Sequence, residues 1–389
     1  MAVSKSIKRW FWWHRWSSLI CTVFLLMFCI TGLPLIFGEE IEHMLHPKHY
    51  EEVPANTPLT NLDTLVNVSK AHYPSQLVTS VYVDDDEPQV LVTMAPTWKW
   101  DDPLRHSLQF DARTGKLLND EPPASKKPKT FIEIMLDMHR GLLLDLPGEL
   151  FLGLMGLLFV VSVVSGMVLY SPFMRKLRFG SVRYDRARRL KWLDLHNLLG
   201  IVTAAWLLVV GITGVFNELS TPLFGLWQVT DVKTMLDKYK GKPVASQQEL
   251  SSAQAAYTTA QKTLPGMTVT SIVYPGNPYG SPYHYLLWAK GNEPFSSRLF
   301  SPVLIDGRTG ALAAVVRMPF YLRALEVSRP LHFGDYGGKP LKILWVLFDI
   351  VAIAVLVSGI YLWFARRKTA ENYFLKLISN DNNTDENEQ

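Results

Sequence analysis

His14-Arg15-Trp16-Ser17-Ser18-Leu19-Ile20-Cys21-Thr22-Val23-Phe24-Leu25-Leu26-Met27-Phe28-Cys29-Ile30-Thr31-Gly32 places a histidine eighteen residues before a Thr-Gly pair. His196-Asn197-Leu198…Thr213-Gly214 does the same further on. A second pair follows the same logic. His139 precedes Ser165-Gly166 by the interval that separates His332 from Ser358-Gly359. Between them, Asp111-Ala112-Arg113-Thr114-Gly115 answers to Asp306-Gly307-Arg308-Thr309-Gly310. The offsets are 182, 193 and 195, so two copies of one unit would differ mainly by loop insertions. An internal duplication implies that whatever one copy presents, the fold presents twice about a pseudo-twofold axis.

The apolar residues are bunched. Hydrophobic residues make up 48% of the 389. Four stretches, about 16–37, 150–170, 195–216 and 341–364, reach the roughly 20 apolar residues that a bilayer crossing needs. The first is too long for a cleaved signal peptide and lacks a small-x-small cleavage site, so it reads as a retained anchor. Both cysteines, Cys21 and Cys29, fall inside it, and no CxxC or CxxCH occurs. That excludes a c-type haem attachment and a cysteine-ligated iron–sulfur cluster. Small apolar packing residues are the expectation for both.

Basic residues set the orientation. Lys5, Lys8, Arg9 and Arg15 flank the first span. The loop after the second holds Arg175, Lys176, Arg178, Arg183, Arg186, Arg188, Arg189 and Lys191, and Arg366-Arg367-Lys368 follow the fourth. All fall on one side of a four-span chain, which makes both termini cytoplasmic. The net charge of +4 needs no nucleic-acid partner, because these residues face the anionic inner leaflet. Trp10, Trp12, Trp13, Trp16 and Trp192 suit an interfacial belt.

The expected organisation is then a helical membrane protein with two external α+β domains. Residues 1–38 form the cytoplasmic N-terminus and span one, 39–130 the first outer domain, and 131–172 an interfacial helix with span two. Residues 173–193 form the basic loop, 194–218 span three, and 219–318 the second outer domain. An interfacial helix with span four takes 319–366, and 367–389 form a tail disordered from Asn380. In the first outer loop, 59–72 reads as a helix and 77–83, 89–93 and 108–111 as strands. In the second, 246–264 is helical and 268–274, 284–289 and 299–305 are strands. Each ends in an Asp-x-x-Thr-Gly turn whose glycine supplies a positive φ. Pro147-Gly148 and Gly337-Gly338 are expected to break the interfacial helices from their spans.

Of ten histidines, His72, His106 and His284 have no partner at ligand spacing. His43, His46 and His49 cluster outside span one. His43 and His46 are i,i+3 and in reach of one metal, but their counterparts near Ser220–Leu223 are not histidine, which favours a surface cluster. The remaining four stand at the ends of spans: His14 and His196 inside, His139 and His332 outside. Ionisable residues at membrane depth are costly and mark function. A twofold axis along the membrane normal faces His14 towards His196 and His139 towards His332, and two opposed imidazoles fill the axial positions of one haem iron. Five helical turns put Gly32 about 27 Å from His14 on the same face, near the outer pair. Gly214 follows suit, and Gly166 and Gly359 fall near the inner pair. Missing side chains there make room for a flat macrocycle. The alternative is that the glycines only allow close helix packing and the histidines are interfacial.

These residues carry a resemblance. His14-Arg15-Trp16…Thr31-Gly32…Phe37-x-Glu39-Glu40, Leu136-x-x-His139-Arg140…Ser165-Gly166-x-Val168-Leu169-Tyr170, Leu195-His196-Asn197-Leu198-x-Gly200…Thr213-Gly214 and Leu331-His332-Phe333-Gly334…Ser358-Gly359-x-Tyr361-Leu362-Trp363 resemble the PepSY-associated transmembrane family, also called PiuB-type iron-regulated membrane proteins. The resemblance reaches to about residue 370 and implies a bacterial inner-membrane protein with PepSY-like periplasmic domains. The ferrioxamine-reductase type within it implies a di-haem b ferric-siderophore reductase, with His14, His139, His196 and His332 as haem ligands. Ser165 and Ser358 stand where such relatives often have Thr. No GxGxxG-type nucleotide site or flavin domain follows span four, so a separate electron donor, quinol or a soluble reductase, is expected. The ferric siderophore would sit between the outer domains, where Trp98, Trp100, Tyr279, Tyr283 and Trp288 are candidate lining residues. A haem-free siderophore or iron permease and a PepSY-based inhibitory or sensing module are the competing readings. The spans offer a permease little beyond Asp349 and Asn217.

Overall fold

A computed structural model describes residues 5–54, 56–99, 101–174, 178–278, 280–293 and 295–385, with the side chains of 172–174 and 366–385 outside the description. The chain divides into two compact units. The elements are α1 (Lys5–Ile36), α2 (Gly38–Leu45), α3 (Leu62–His72), β1 (Leu77–Val83), β2 (Gln89–Ala95), β3 (His106–Asp111), β4 (Leu117–Asp120), α4 (Phe131–Gly141), α5 (Asp145–Met174), α6 (Arg188–Glu218), α7 (Ser220–Trp227), α8 (Lys233–Leu236), α9 (Ala253–Thr263), β5 (Met267–Val273), β6 (His284–Gly291), β7 (Phe300–Asp306), β8 (Leu312–Val315), α10 (Phe320–Phe333) and α11 (Gly338–Asp385).

The first unit is a helical bundle. Among the described residues four helices are long and apolar enough to cross a membrane: Lys5–Ile36, Asp145–Ser171, Arg188–Glu218 and Asp335–Ala365. α1 packs on α5, α5 on α6, α6 on α11 and α11 on α1, which closes a ring. The bundle is dressed for lipid. Val23, Ile30, Leu157 and Ile350 are exposed, while Ser17, Thr31, Ser162, Ser165, Thr203, Thr213 and Ser358 are buried. Small and hydroxylated residues let helices approach where no hydrophobic drive exists between them. Their hydroxyls are satisfied locally: Thr31 donates to the Met27 carbonyl at 2.7 Å and Thr213 to Val209 at 2.6 Å.

The break before span two lies earlier than Pro147-Gly148. Pro147 sits in the first turn of α5, where its missing N–H costs nothing. The corner is made instead by Leu142, Leu143 and Asp145, at φ 53°, 62° and 49°. Left-handed backbone at three non-glycine residues is strained and needs over-determination by its surroundings. The Gly141 carbonyl accepts from the Leu144 amide across the corner at 2.8 Å, and a Cβ on Gly148 would stand 1.8 Å from that oxygen, so only glycine fits there. The break before span four falls on Gly334 and Gly338, both at positive φ. After span four, α11 continues to Asp385. Good helix formers such as Ala370, Glu371, Leu375 and Lys376 extend it.

The second unit corrects the expectation of two separate outer α+β domains. The strands form one antiparallel sheet in the order β4-β3-β2-β1-β5-β6-β7-β8. β1 and β5 join the halves, with Ser80, Val81 and Tyr82 opposite Val273, Ile272 and Ser271. Each four-stranded half would otherwise expose an edge strand, and pairing the two edges removes both. α3 and α9 cover one face, and a single buried core runs across both halves from Leu65 and Phe110 to Tyr285 and Ile305. Asn61 caps α3 and Ser252 caps α9. Both Asp-x-x-Thr-Gly turns form as expected. Asp111 accepts from the amides of Arg113 and Thr114, Asp306 from those of Arg308 and Thr309, and Gly115 and Gly310 take φ +72° and +70°.

Candidate functional site

The bundle brings the four span-end histidines together in two pairs. His14 on α1 and His196 on α6 stand with ring centroids 6.4 Å apart and planes at 65°. His139 on α4 and His332 on α10 stand 6.3 Å apart at 64°. In the ring of helices α1 and α6 are diagonal, so the first pair meets across the bundle interior.

Each imidazole is held by one edge, and always the same edge. His14 Nδ1 lies 2.9 Å from the Ser162 carbonyl and 3.3 Å from Ser165 Oγ. His196 Nδ1 lies 3.1 Å from the Val355 carbonyl and 2.9 Å from Ser358 Oγ. His332 Nδ1 lies 3.0 Å from the Val210 carbonyl and 3.1 Å from Thr213 Oγ1. His139 Nδ1 lies 2.9 Å from Thr31 Oγ1 and also bonds the Phe28 backbone. A carbonyl only accepts, so Nδ1 carries the proton and Nε2 keeps its lone pair. No Nε2 of the four bonds a described residue. Burial and the neighbouring His332 ring push His139 down to about 3, and burial pushes His332 down to about 4. Both are neutral at physiological pH, the form that ligates a metal.

The Ser/Thr-Gly dipeptides explain the geometry, and not in the way their spacing suggested. The hydroxyl residue takes the Nδ1 edge of a histidine on a neighbouring helix. The glycine next to it faces the same ring. A Cβ on Gly32 would stand 3.2 Å from His139 Cε1, on Gly166 3.1 Å from His14 Cε1, on Gly214 3.2 Å from His332 Cε1, and on Gly359 3.4 Å from His196 Cε1. The four glycines therefore fall at the expected levels, but each makes room for an imidazole rather than for a macrocycle. Sequence reasoning missed the hydroxyl partners. Their invariable place before the glycine was the signal.

The donor set fits an axially ligated metal. Metal–imidazole bonds are about 2.0–2.1 Å and a ring nitrogen lies about 1.15 Å from its centroid, so two imidazoles across one metal have centroids about 6.3–6.5 Å apart. Both pairs match. Two ligands do not complete a protein-only zinc site, which takes four. The Ser and Thr hydroxyls nearby are already committed to backbone carbonyls. The residues present would fit a cofactor that brings its own remaining ligands, as a tetrapyrrole does. Arg15, beside His14 in the chain, keeps a buried Nε with no partner among the described residues, in keeping with a nearby anionic group.

Aromatic and charged residues frame the His139–His332 pair. Phe28 meets His139 edge-on at 5.1 Å, and Trp345 donates its indole N–H to the His332 carbonyl at 3.1 Å. Arg140 binds buried Glu149 through Nε at 2.8 Å and Nη2 at 2.6 Å. Two residues before His196 in the chain, Asp194 is buried and clamped by Arg183.

The other sequence candidates part company. His43 and His46 lie on α2 and His49 just beyond it, all exposed, and His46 bonds Glu42 at 3.1 Å. Among the described residues the one converging acidic or metal-binding trio is Asp84, Asp85 and Asp86, in the turn between β1 and β2. His106 bonds Gln76 and lies beside Asp120, His284 bonds Ser281, and His72 bonds the Val68 carbonyl. Of the candidate aromatics, Trp98 packs on Gly276 at the sheet core and Trp288 against Trp227 and Phe300. Tyr283 stacks on Tyr239 and lines a cavity of about 470 Å³ under α7 and α8. Trp100 and Tyr279 lie outside the described residues.

Comparison with known proteins places the chain in a family. Residues 11–366 match the PepSY-associated TM region, and the chain belongs to that family. It is 27% identical over 274 residues to an uncharacterized protein of Pseudomonas aeruginosa, PA4219, across 64% of this chain. It spans 66% of that relative's length. A crystal structure described as a lipoprotein of Clostridium difficile 630 aligns with 69% of this chain and all of its own, at 11% identity and a TM-score of 0.27, too low to bear on the fold.

Proposed function

We propose that this PepSY-associated membrane protein is a di-haem b ferric-siderophore reductase of the bacterial inner membrane. His14 and His196 would hold one haem b, and His139 and His332 the other. The observation that carries the reading is the pair geometry: two imidazole pairs at axial separation, each ring fixed through Nδ1 with Nε2 free. Bound there, haem supplies reversible one-electron chemistry with no open iron position, which suits electron transfer and not oxygen activation.

The protein's own residues do the rest. The Ser and Thr hydroxyls and the backbone carbonyls three residues before them fix ring rotation and tautomer, which is how outer contacts tune a ligand. The glycines let each ring reach the interior. The apolar exterior keeps water from both stations. Electrons from a separate donor would enter at the His14–His196 station, pass to His139–His332, and reduce a ferric siderophore outside. Ferrous iron binds oxygen-rich chelators far less well than ferric iron, so one electron releases the metal. Matched histidines, Ser/Thr-Gly pairs, turns and mirror strand order support an origin by internal duplication, and the basic segments beside the spans favour cytoplasmic termini. Asp349, buried on α11, is the feature that would favour a permease instead.

The test is a pyridine haemochrome assay on detergent-purified protein. Two non-covalent haems with a low-spin reduced spectrum are expected. No haem would remove the reading and leave the permease or an inhibitory PepSY module. In proteoliposomes with donor inside and a ferric hydroxamate, catecholate or citrate outside, a ferrous chelator should trap Fe(II). Haem-loaded protein that yields none with any of them would leave a transmembrane cytochrome with another acceptor.

A further inference from the structure

Arg9, Trp10 and Trp13 recur on one face of α1, with Ser6 a turn before them, and they meet Val160, Val161 and Val164 of α5 across a groove of about 510 Å³. Trp13 is 49% and Val164 37% exposed on helices whose outer faces are apolar, so the groove opens towards lipid. It follows the seam that holds His14. Trp13 precedes His14 in the chain, and Val161 precedes Ser162, whose carbonyl holds His14 Nδ1.

The groove is polar at one end only. At about 1.5 Å of rise per residue, Arg9 and Ser6 lie about 6 and 10 Å beyond Trp13, away from the bilayer centre. Arg9 makes no ion pair among the described residues. Indole walls, an aliphatic floor and one cationic, hydroxylated end match a ligand with a flat ring, ring oxygens and an apolar tail. Its volume falls in the range of small-molecule sites. A ligand reaching it must travel in the bilayer.

We propose that this groove is a quinol site and that quinol is the electron donor. The proposal rests on the reductase reading and chooses between its two donor classes, since a soluble reductase would need a docking face outside the bilayer. The reaction balances as QH2 + 2 Fe(III)–chelator → Q + 2 Fe(II) + 2 chelator + 2 H+. Both O–H bonds of the quinol break, the two electrons leave singly towards His14, and the protons pass to water at the Arg9 and Ser6 end. An anionic phospholipid would also meet Arg9 but offers no ring to the indoles.

The test is a binding titration that does not require haem. Full-length protein in phosphatidylcholine nanodiscs is titrated with decylubiquinone and with a short-chain menaquinone while tryptophan emission is read. Two of the 12 tryptophans line the groove, so a saturable quench of about one-sixth of the emission is expected above the linear loss from quinone in lipid. Val164→Phe, which fills the groove, should weaken the saturable phase at least about tenfold. Arg9→Gln should weaken it severalfold. Val168→Phe, equally outward on α5 and outside the groove, should leave it unchanged. Neither quinone giving a saturable phase, or Val164→Phe and Arg9→Gln binding like the parent, would overturn the proposal. So would loss of the phase when part of the lipid is exchanged for phosphatidylglycerol, which would assign the groove to phospholipid. Haem content measured on the same sample separates the two failures. Saturable binding in haem-free protein keeps the groove and removes the reductase; haem without saturable binding does the reverse.

Discussion

Adding one methyl group at Gly166 should cost what the same methyl gains at Gly200. Both glycines are helical, on α5 and α6. Replacing a mid-helix glycine by alanine favours the helix by about 0.8–1.0 kcal/mol. At Gly200 a Cβ meets nothing within 4 Å, so Gly200→Ala should keep that gain. At Gly166 the Cβ would stand 3.1 Å from His14 Cε1 and 3.4 Å from His14 Nδ1. Carbon pairs are comfortable at about 3.5–4.0 Å, so the ring must retreat by about 0.5 Å. It is held from retreating by the Ser162 carbonyl and the Ser165 hydroxyl. Overpacking of this kind costs about 1–3 kcal/mol. The two variants should therefore differ from each other by about 1–3 kcal/mol, about 5- to 140-fold in an equilibrium constant. The assay is reversible denaturation in mixed micelles, followed by helical circular dichroism. Haem retention during dialysis is a second readout, and Gly166→Ala should lose the inner haem first. Equal stability of the two variants would refute the claim that Gly166 exists to admit the His14 ring.

His139→Ala should abolish the outer haem and spare the inner, and His196→Ala the reverse, read as half the parent pyridine haemochrome value; loss of both from a folded variant would break the pairing. His14→Ala should still bind ferric siderophore and release Fe(II) when its outer haem is chemically reduced, but not with membrane-supplied electrons. Thr31→Val removes a hydroxyl partner of His139 Nδ1 and should weaken outer haem binding by about tenfold, the low end for such contacts, because the Phe28 backbone remains; unchanged dissociation would mean that the hydroxyl is idle. Burial raises the Asp111 carboxyl, but the Thr114 and Arg113 amides outweigh it and hold it below the usual range. Its folded pKa being depressed, its stabilisation is present above the unfolded value of about 3.9 and is lost as pH falls through the folded one. Asp111→Asn should flatten the acid loss of hydrogen-exchange protection in β3 and β4, and an unchanged acid limb would contradict this.

Apolar length and periodicity located the four candidate spans, the two amphipathic helices before spans two and four, and most strands, because both are local properties of the chain. β1 was legible residue for residue. The short outer strands β4 and β8 were missed, since four residues carry too little pattern and their pairing partner decides them. Which histidine meets which was also legible, because the matched spacings put His14 level with His196 and His139 level with His332. Three things were decided only by tertiary structure. The halves of the outer sheet join through β1 and β5, a choice between free edges that no single strand encodes. The glycines face imidazoles, because the direction of a helix face depends on its neighbour's rotation and not on its own spacing. The proton sits on Nδ1, because that edge meets carbonyls and hydroxyls from helices more than a hundred residues away in sequence.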